Sequence, residues 1–143
     1  MTMLQIATNY AQYFMRGTRA TILISLITVM FGSILGCLIA FMRLSHIKPL
    51  RKFAEIYITV IRGTPMIVQL YIVYFQLSFI HYPSGVILGV DIERAIPCMI
   101  ALSLNSAAYV AEIVRAGIQA VDKGQMEGAR SCGMTNAQAL RYI

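Results

Sequence analysis

Residues Ala20–Met42 read ATILISLITVMFGSILGCLIAFM, 23 residues without a single charge. A helix needs roughly 20 apolar residues to cross the hydrocarbon of a bilayer. The stretch is also longer than the roughly 7–15 apolar residues of a secretory leader, and no small-residue cleavage site follows it, so it is expected to stay in the mature protein. The rest of the chain agrees with a membrane protein. Of its 143 residues 58% are hydrophobic and 13% charged, and the mean hydropathy is +0.69, well outside the range of ordinary soluble domains.

Two further apolar runs follow. One extends over Ala54–Ile80, interrupted by Arg62 and Pro65, and the other over about Ala95–Val114. The expectation is an all-α membrane protein with three transmembrane helices, over about 20–42, 54–80 and 95–114. The joining loops differ in charge. Arg43–Lys52 carries Arg43, Lys48, Arg51 and Lys52 and no acid, whereas His81–Arg94 carries Asp91, Glu93 and Arg94. Cytoplasmic loops collect Lys and Arg, which puts the first loop inside and residues 1–19 outside as an extracytoplasmic segment. Arg115, Lys123, Arg130 and Arg141, all after the third span, agree with this orientation, while Arg16 and Arg19 run against it.

The net charge of +6 does not indicate nucleic acid, because the basic residues are dispersed through juxtamembrane loops and form no patch. Cys37, Cys98 and Cys132 make no C-x-x-C pair, so neither a disulfide nor a metal site is expected. His46 and His81 fall in different loops, and the motifs of zinc proteases, α/β-hydrolases and P-loop nucleotide binders do not occur. Nothing in the chain reads as an enzyme, and no cofactor is expected.

Helical periodicity sorts the polar and small residues. Thr21, Ser25, Thr28, Gly32, Gly36 and Ala40 share one stripe of the first span, and Gly32 with Gly36 makes a G-x-x-x-G, the spacing that lets two helix backbones approach in lipid. On the third span Ser103, Ala107 and Ala111 form a similar packing stripe, with Asn105, Tyr109 and Glu112 on the other side. Glu112 stands three residues before Arg115, so an intrahelical ion pair competes with a role in a polar pathway.

The second span is the more unusual. Glu55, Arg62, Gln69 and Gln76 recur every seven residues and fall within about 60° of one another on a continuous helix, with Thr59 and Met66 beside them. Such a row cannot face lipid at low cost, and an intramembrane ion faces a bundle interior or a watery path unless it reaches the interface. The local sequence Arg62-Gly63-Thr64-Pro65 predicts a kink or an unwound turn, since Pro65 has no N–H for the carbonyl of Ile61 and Gly63 weakens the helix further.

After the third span the chain ends GQMEGARSCGMTNAQALRYI, Gly124–Ile143. Asp122 is placed to cap a helix starting at Lys123 or Gly124, Gly133 to stop it in the left-handed region, and Thr135–Gln138 to open a second helix with a capping box. Gly124, Gly128 and Cys132 then share a face, with Ala129 alongside.

This segment resembles the EAA loop of ABC importer permeases, whose pattern is E-A-A, three residues, G, nine residues, then I-x-L-P. Glu127, Gly128 and Ala129 occupy the triplet, Gly133 follows after three residues and Ile143 after nine more, with Gly128 in place of the first alanine. RGTPMIVQLY (Arg62–Tyr71) and NSAAYVAEIVRAGIQAVDKGQ (Asn105–Gln125) are similar to the permeases of polar-amino-acid importers of the histidine and glutamine type, and the likeness runs from Gly17 onward. It implies that residues 20–143 are the N-terminal part of an ABC transmembrane type-1 domain in a bacterial cytoplasmic membrane, with the coupling loop at 115–143. The family pattern continues past Ile143 into further helices, so the expectation is a permease cut inside the motif.

The resemblance also implies the partners: two cytoplasmic ABC ATPases that receive the EAA elbows, a second permease, identical or a sister, and an extracytoplasmic amino-acid-binding protein. It assigns ATPase coupling to Gln125, Glu127, Gly128, Ala129, Arg130, Gly133 and Ile143. Arg62, Gly63, Thr64, Pro65, Gln69, Asn105, Tyr109 and Glu112 are then candidates for the translocation pathway or for bundle-interior contacts. The competing expectation is a membrane fragment that does not transport and acts only as an interaction protein.

Overall fold

The computed structural model describes residues 3–77, 79–80, 82, 85–87 and 89–142. Ile143 and His81 lie outside the described residues. Among the described residues six helices run in the order α1 (Met3–Leu44), α2 (Lys48–Gly63), α3 (Met66–Leu77), α4 (Ile92–Ala120), α5 (Lys123–Ser131) and α6 (Asn136–Tyr142). A two-stranded hairpin, β1 (Val86–Ile87) with β2 (Val90–Asp91), stands between α3 and α4. It pairs Val86 with Asp91 and Ile87 with Val90, and Gly89 takes the positive φ of +85° that its tight turn requires. The sequence gives this region only as a loop; two residues per strand is too short for a periodic signal.

Among the described residues two helices are long and apolar enough to cross a membrane, Tyr10–Leu44 and Ile92–Ala120, and the expected third span corresponds to a bent pair, α2 with α3. The 42 residues of α1 extend about 63 Å at 1.5 Å per residue, roughly twice the hydrocarbon thickness. Residue 19 therefore marks a change of composition and not a structural boundary. The middle region is α2 and α3 joined at an angle of 108°. This is far sharper than a proline kink in one continuous helix, and the row Glu55–Arg62–Gln69–Gln76 is divided between two helix directions.

The core is made of small side chains. Ala40, Ala54, Ala101, Ala107, Ala108 and Ala111 are buried, whereas Leu26, Leu38, Phe41, Phe53 and Ile72 are more than half exposed. In lipid, exposed leucine and phenylalanine cost nothing, and helices associate where backbones can approach. The α1–α4 contact shows how close they come. A Cβ added at Gly32 would lie 2.7 Å from Ser106 Cβ, and one at Gly36 would lie 2.6 Å from Val110 Cβ and 2.9 Å from the Ala107 carbonyl oxygen.

Gly36→Ala is therefore expected to force α1 and α4 apart and to cost about 1–3 kcal/mol, the usual penalty of overpacking. Gly32→Ala should cost less, because the backbone oxygen it meets, that of Ser103, is 3.3 Å away. Gly17→Ala meets nothing within 4 Å and should be neutral. Unfolding titrations of the three variants in mixed micelles would show this order, and equal stabilities would contradict it.

Candidate functional site

Helix α2 stops at Gly63, Thr64 is extended at φ −112°, ψ 142°, and α3 restarts with the amides of Val68 and Gln69 donating to the Pro65 carbonyl. The break leaves the Ile61 carbonyl without the N–H that a residue other than proline at 65 would supply. A backbone acceptor unsatisfied at membrane depth costs several kcal/mol. The chain fills the gap with a side chain: Gln69 Nε2 donates to Ile61 O at 2.6 Å and to Thr64 O at 3.1 Å, and also to Thr64 Oγ1. That hydroxyl in turn donates to Val60 O at 2.9 Å.

The other end of the same amide reaches the neighbouring helix. Asn105 Nδ2, on α4, donates to Gln69 Oε1 at 3.0 Å. One turn along α4 the Arg62 guanidinium lies over the Tyr109 ring, 5.4 Å from its centroid, within range of a cation–π attraction. Tyr57 of α2 donates its hydroxyl to Leu104 O at 2.6 Å. Sequence reasoning did not single out Tyr57, since its ring belongs to the apolar pattern and only its tip is polar.

The structure thus brings together Arg62, Thr64, Pro65, Gln69, Asn105 and Tyr109 from three helices. Gly63 ends α2 in open space, where an added Cβ meets nothing within 4 Å. Glu112 has a partner outside this group. One of its oxygens pairs with Arg115, which also donates to Gln119, so the intrahelical pair forms. The second oxygen, Glu112 Oε2, is shielded from solvent without a hydrogen-bond partner. Arg43 and Arg62 add to the positive field at this carboxylate. Glu55 pairs with Lys52 at 4.0 Å, and Gln76 is exposed on α3.

The packing stripes are both used. Gly32 and Gly36 are buried against α4, where Ser103 is 8% and Ala107 and Ala111 are 0% exposed. Asn105, expected on a separate polar face, is also buried at 9%, because α2 and α3 cover the flank of α4 that α1 leaves free.

Beyond Ala120 the chain forms a capped elbow. Asp122 accepts from the Gly124 amide at 2.6 Å. At the other end of α5, Gly133 takes φ +84°, its amide donates to Arg130 O, and the Met134 amide donates to Ala129 O, the paired bonds of a Schellman motif. A capping box opens α6: the Thr135 amide donates to Gln138 Oε1 at 2.9 Å and the Gln138 amide to Thr135 Oγ1 at 3.3 Å. Gln125, Glu127, Gly128 and Arg130 are exposed, as are Gly124 and Cys132. Ala129 differs from the expected arrangement: it is 9% exposed, turned inward, as is Ala139 of α6 at 0%.

Among the described residues no group of His, Cys, Asp and Glu could hold a metal ion. Hydrogen bonds and a cation–π contact tie α2 and α3 to α4, and the elbow is self-capped, with Gln125, Glu127, Gly128 and Arg130 exposed on it.

Comparison with known proteins agrees with this architecture. Residues 28–143 match the family described as binding-protein-dependent transport system inner membrane component. The permease GlnP of Rickettsia conorii, named for a glutamine transport system, is 42% identical over 119 residues, 83% of this chain and 51% of its own length. The arginine transport system permease protein ArtQ of Bacillus subtilis is 39% identical over 131 residues, 92% of this chain and 57% of its own. A solved structure described as an amino acid ABC transporter with histidines superposes on all of this chain with a TM-score of 0.81 at 43% identity, and 63% of that structure's chain is covered. The chain spans little more than half the length of these permeases. The bent middle pair, the α1–α4 packing and the helical elbow are those of a type I ABC permease, and the chain belongs to the family of binding-protein-dependent transport system inner membrane components.

Proposed function

We propose that this chain supplies part of the translocation pathway of an ATP-driven amino-acid importer and docks a cytoplasmic ABC ATPase through its elbow. The observation that carries the reading is the continuity of α4. It holds Asn105 and Tyr109 against the α2–α3 break and runs unbroken to Ala120, one turn short of the exposed residues Gln125, Glu127, Gly128 and Arg130. A push on the elbow and a polar cluster at membrane depth are joined by one rigid rod.

The cargo is a polar amino acid, since relatives named for arginine and glutamine transport share about two-fifths of the sequence. Arg62, Gly63, Thr64, Pro65, Gln69, Asn105, Tyr109 and Glu112 line or shape the pathway. An amino acid carries an ammonium and a carboxylate, and Arg62 with Glu112 has the complementary signs. A second permease completes the pathway, an extracytoplasmic binding protein delivers the cargo, and the chain itself hydrolyses nothing.

The test is uptake of labelled glutamine, arginine and histidine into proteoliposomes holding the chain in a complete permease, with ATPase and binding protein. Accumulation that needs ATP and the binding protein supports the reading. ATP-independent equilibration of the same amino acids would make the protein a passive channel instead.

The protein lies in the inner membrane, and the loop charges support a multi-pass arrangement with the N-terminus outside. Val86, in the hairpin and 71% exposed, reports on this. In a variant lacking Cys37, Cys98 and Cys132, Val86→Cys should react with an impermeant maleimide added to intact cells. Reaction only after the cytoplasmic face is opened would reverse the topology and put the elbow on the wrong side for an ATPase.

A further inference from the structure

We propose that Gln69 is a positioning residue that holds the α2–α3 bend and locks it to α4, so that movement of the rod carrying the elbow is passed to the break. Three observations converge on this one amide. Its nitrogen replaces the backbone donor that Pro65 removes, bonding Ile61 O at 2.6 Å across the break. The same nitrogen holds the first residue of the break through Thr64 O at 3.1 Å. Its oxygen accepts from Asn105 Nδ2 at 3.0 Å, and Asn105 is buried on α4.

A primary amide has two N–H donors and one carbonyl acceptor, and here both ends are engaged. The donors are divided among three oxygens, those of Ile61 and Thr64 and the Thr64 hydroxyl, so at least one hydrogen is shared. At position 69 glutamate would replace the donor with a further acceptor, and leucine would leave Ile61 O bare among helices with little water to replace the bond. Gln69 thus does more than line a path. It closes the end of one helix, ties it to the start of the next and fixes both to a third. Two of these links are local to the break, and the Asn105 link is the one that connects it to α4.

The local and long-range links can be separated by mutation. Spin labels on cysteines at Ile56 and Ile72, both more than half exposed and on opposite arms of the bend, would report its angle in the assembled transporter, again in a variant without native cysteines. Gln69→Leu is expected to broaden the distance distribution and to lower amino-acid uptake per ATP hydrolysed by about fivefold or more, the size of a typical coupling between sites. Asn105→Ala keeps the Gln69–Ile61 bond, so the distribution should stay narrow while uptake per ATP falls by a similar factor. The double variant should be no worse than Gln69→Leu, since both changes break one connected network.

A narrow distribution in Gln69→Leu would overturn the proposal, and so would effects of the two changes on uptake per ATP that multiply, as separate contacts to the cargo would give. Should Gln69→Leu fail to assemble, Asn105→Ala decides: unchanged uptake per ATP in that variant overturns the link to α4. The coupling part rests on the permease reading above. If the wild-type assembly imports no amino acid, that reading fails, while the label distances still decide whether Gln69 holds the bend.

Discussion

Gly128→Trp is expected to weaken recruitment of the ATPase while leaving the membrane helices folded. The position is exposed on α5, and a Cβ there meets nothing within 4 Å, so the chain itself has no objection to a larger side chain. Any penalty must come from a partner surface seated close to the backbone. Overpacking such a contact costs about 1–3 kcal/mol, roughly a five- to 150-fold loss of affinity. Gly128→Ala restores the residue of the family pattern and gains about 1 kcal/mol of helix propensity, so it should recruit the ATPase at least as well as wild type. Glu127→Arg reverses the charge of an exposed residue next to it and should reduce recruitment as well. Co-purification of the ATPase with each variant measures all three, and normal recruitment by both Gly128→Trp and Glu127→Arg would remove the elbow from the docking surface.

Arg62→Ala is expected to lower uptake about tenfold with ATPase recruitment retained. The guanidinium is held over Tyr109 at the end of α2, a contact worth about 0.5–2 kcal/mol depending on its desolvation. Its loss frees the ring of Tyr109 and removes a positive charge from the field at Glu112. Arg62→Lys keeps the charge but not the planar fork, and should recover part of the uptake. Initial rates in proteoliposomes separate the two variants. Wild-type uptake by Arg62→Ala would reduce the residue to an interfacial anchor.

The features legible in the sequence were those set by local rules. Asp122, Gly133 and the Thr135–Gln138 pair each cap a helix within a few residues of themselves, so the elbow could be drawn before any coordinates. Gly32 and Gly36 were legible because close approach in lipid demands small residues at helical spacing. Pro65 marked the break, since a missing N–H is a property of one residue. The size of the bend was not legible: it depends on the Gln69 amide reaching back eight residues to Ile61 and across to Asn105, and a heptad count assumes the straight helix that this bend removes. Burial of Asn105 depends on which elements cover α4, and no pattern within one helix supplies that. The inward turn of Ala129 follows from how α6 folds back after Gly133, a tertiary outcome that a single-helix face cannot reveal. The spacing of Glu112 from Arg115 leaves two readings open; the ion pair forms, and the second, unpartnered oxygen is visible only in three dimensions.

Site-specific photo-cross-linking from the elbow tests the docking of the ATPase most directly. A photoreactive side chain at Cys132, the exposed C-cap of α5, and one at Ile56 of α2, exposed on the apolar surface, would be compared in membranes carrying the assembled transporter. The expected result is an adduct with the ATPase from Cys132 and none from Ile56. An intact, ATP-hydrolysing complex that gives no ATPase adduct from Cys132, Gly124 or Gln125 would contradict it.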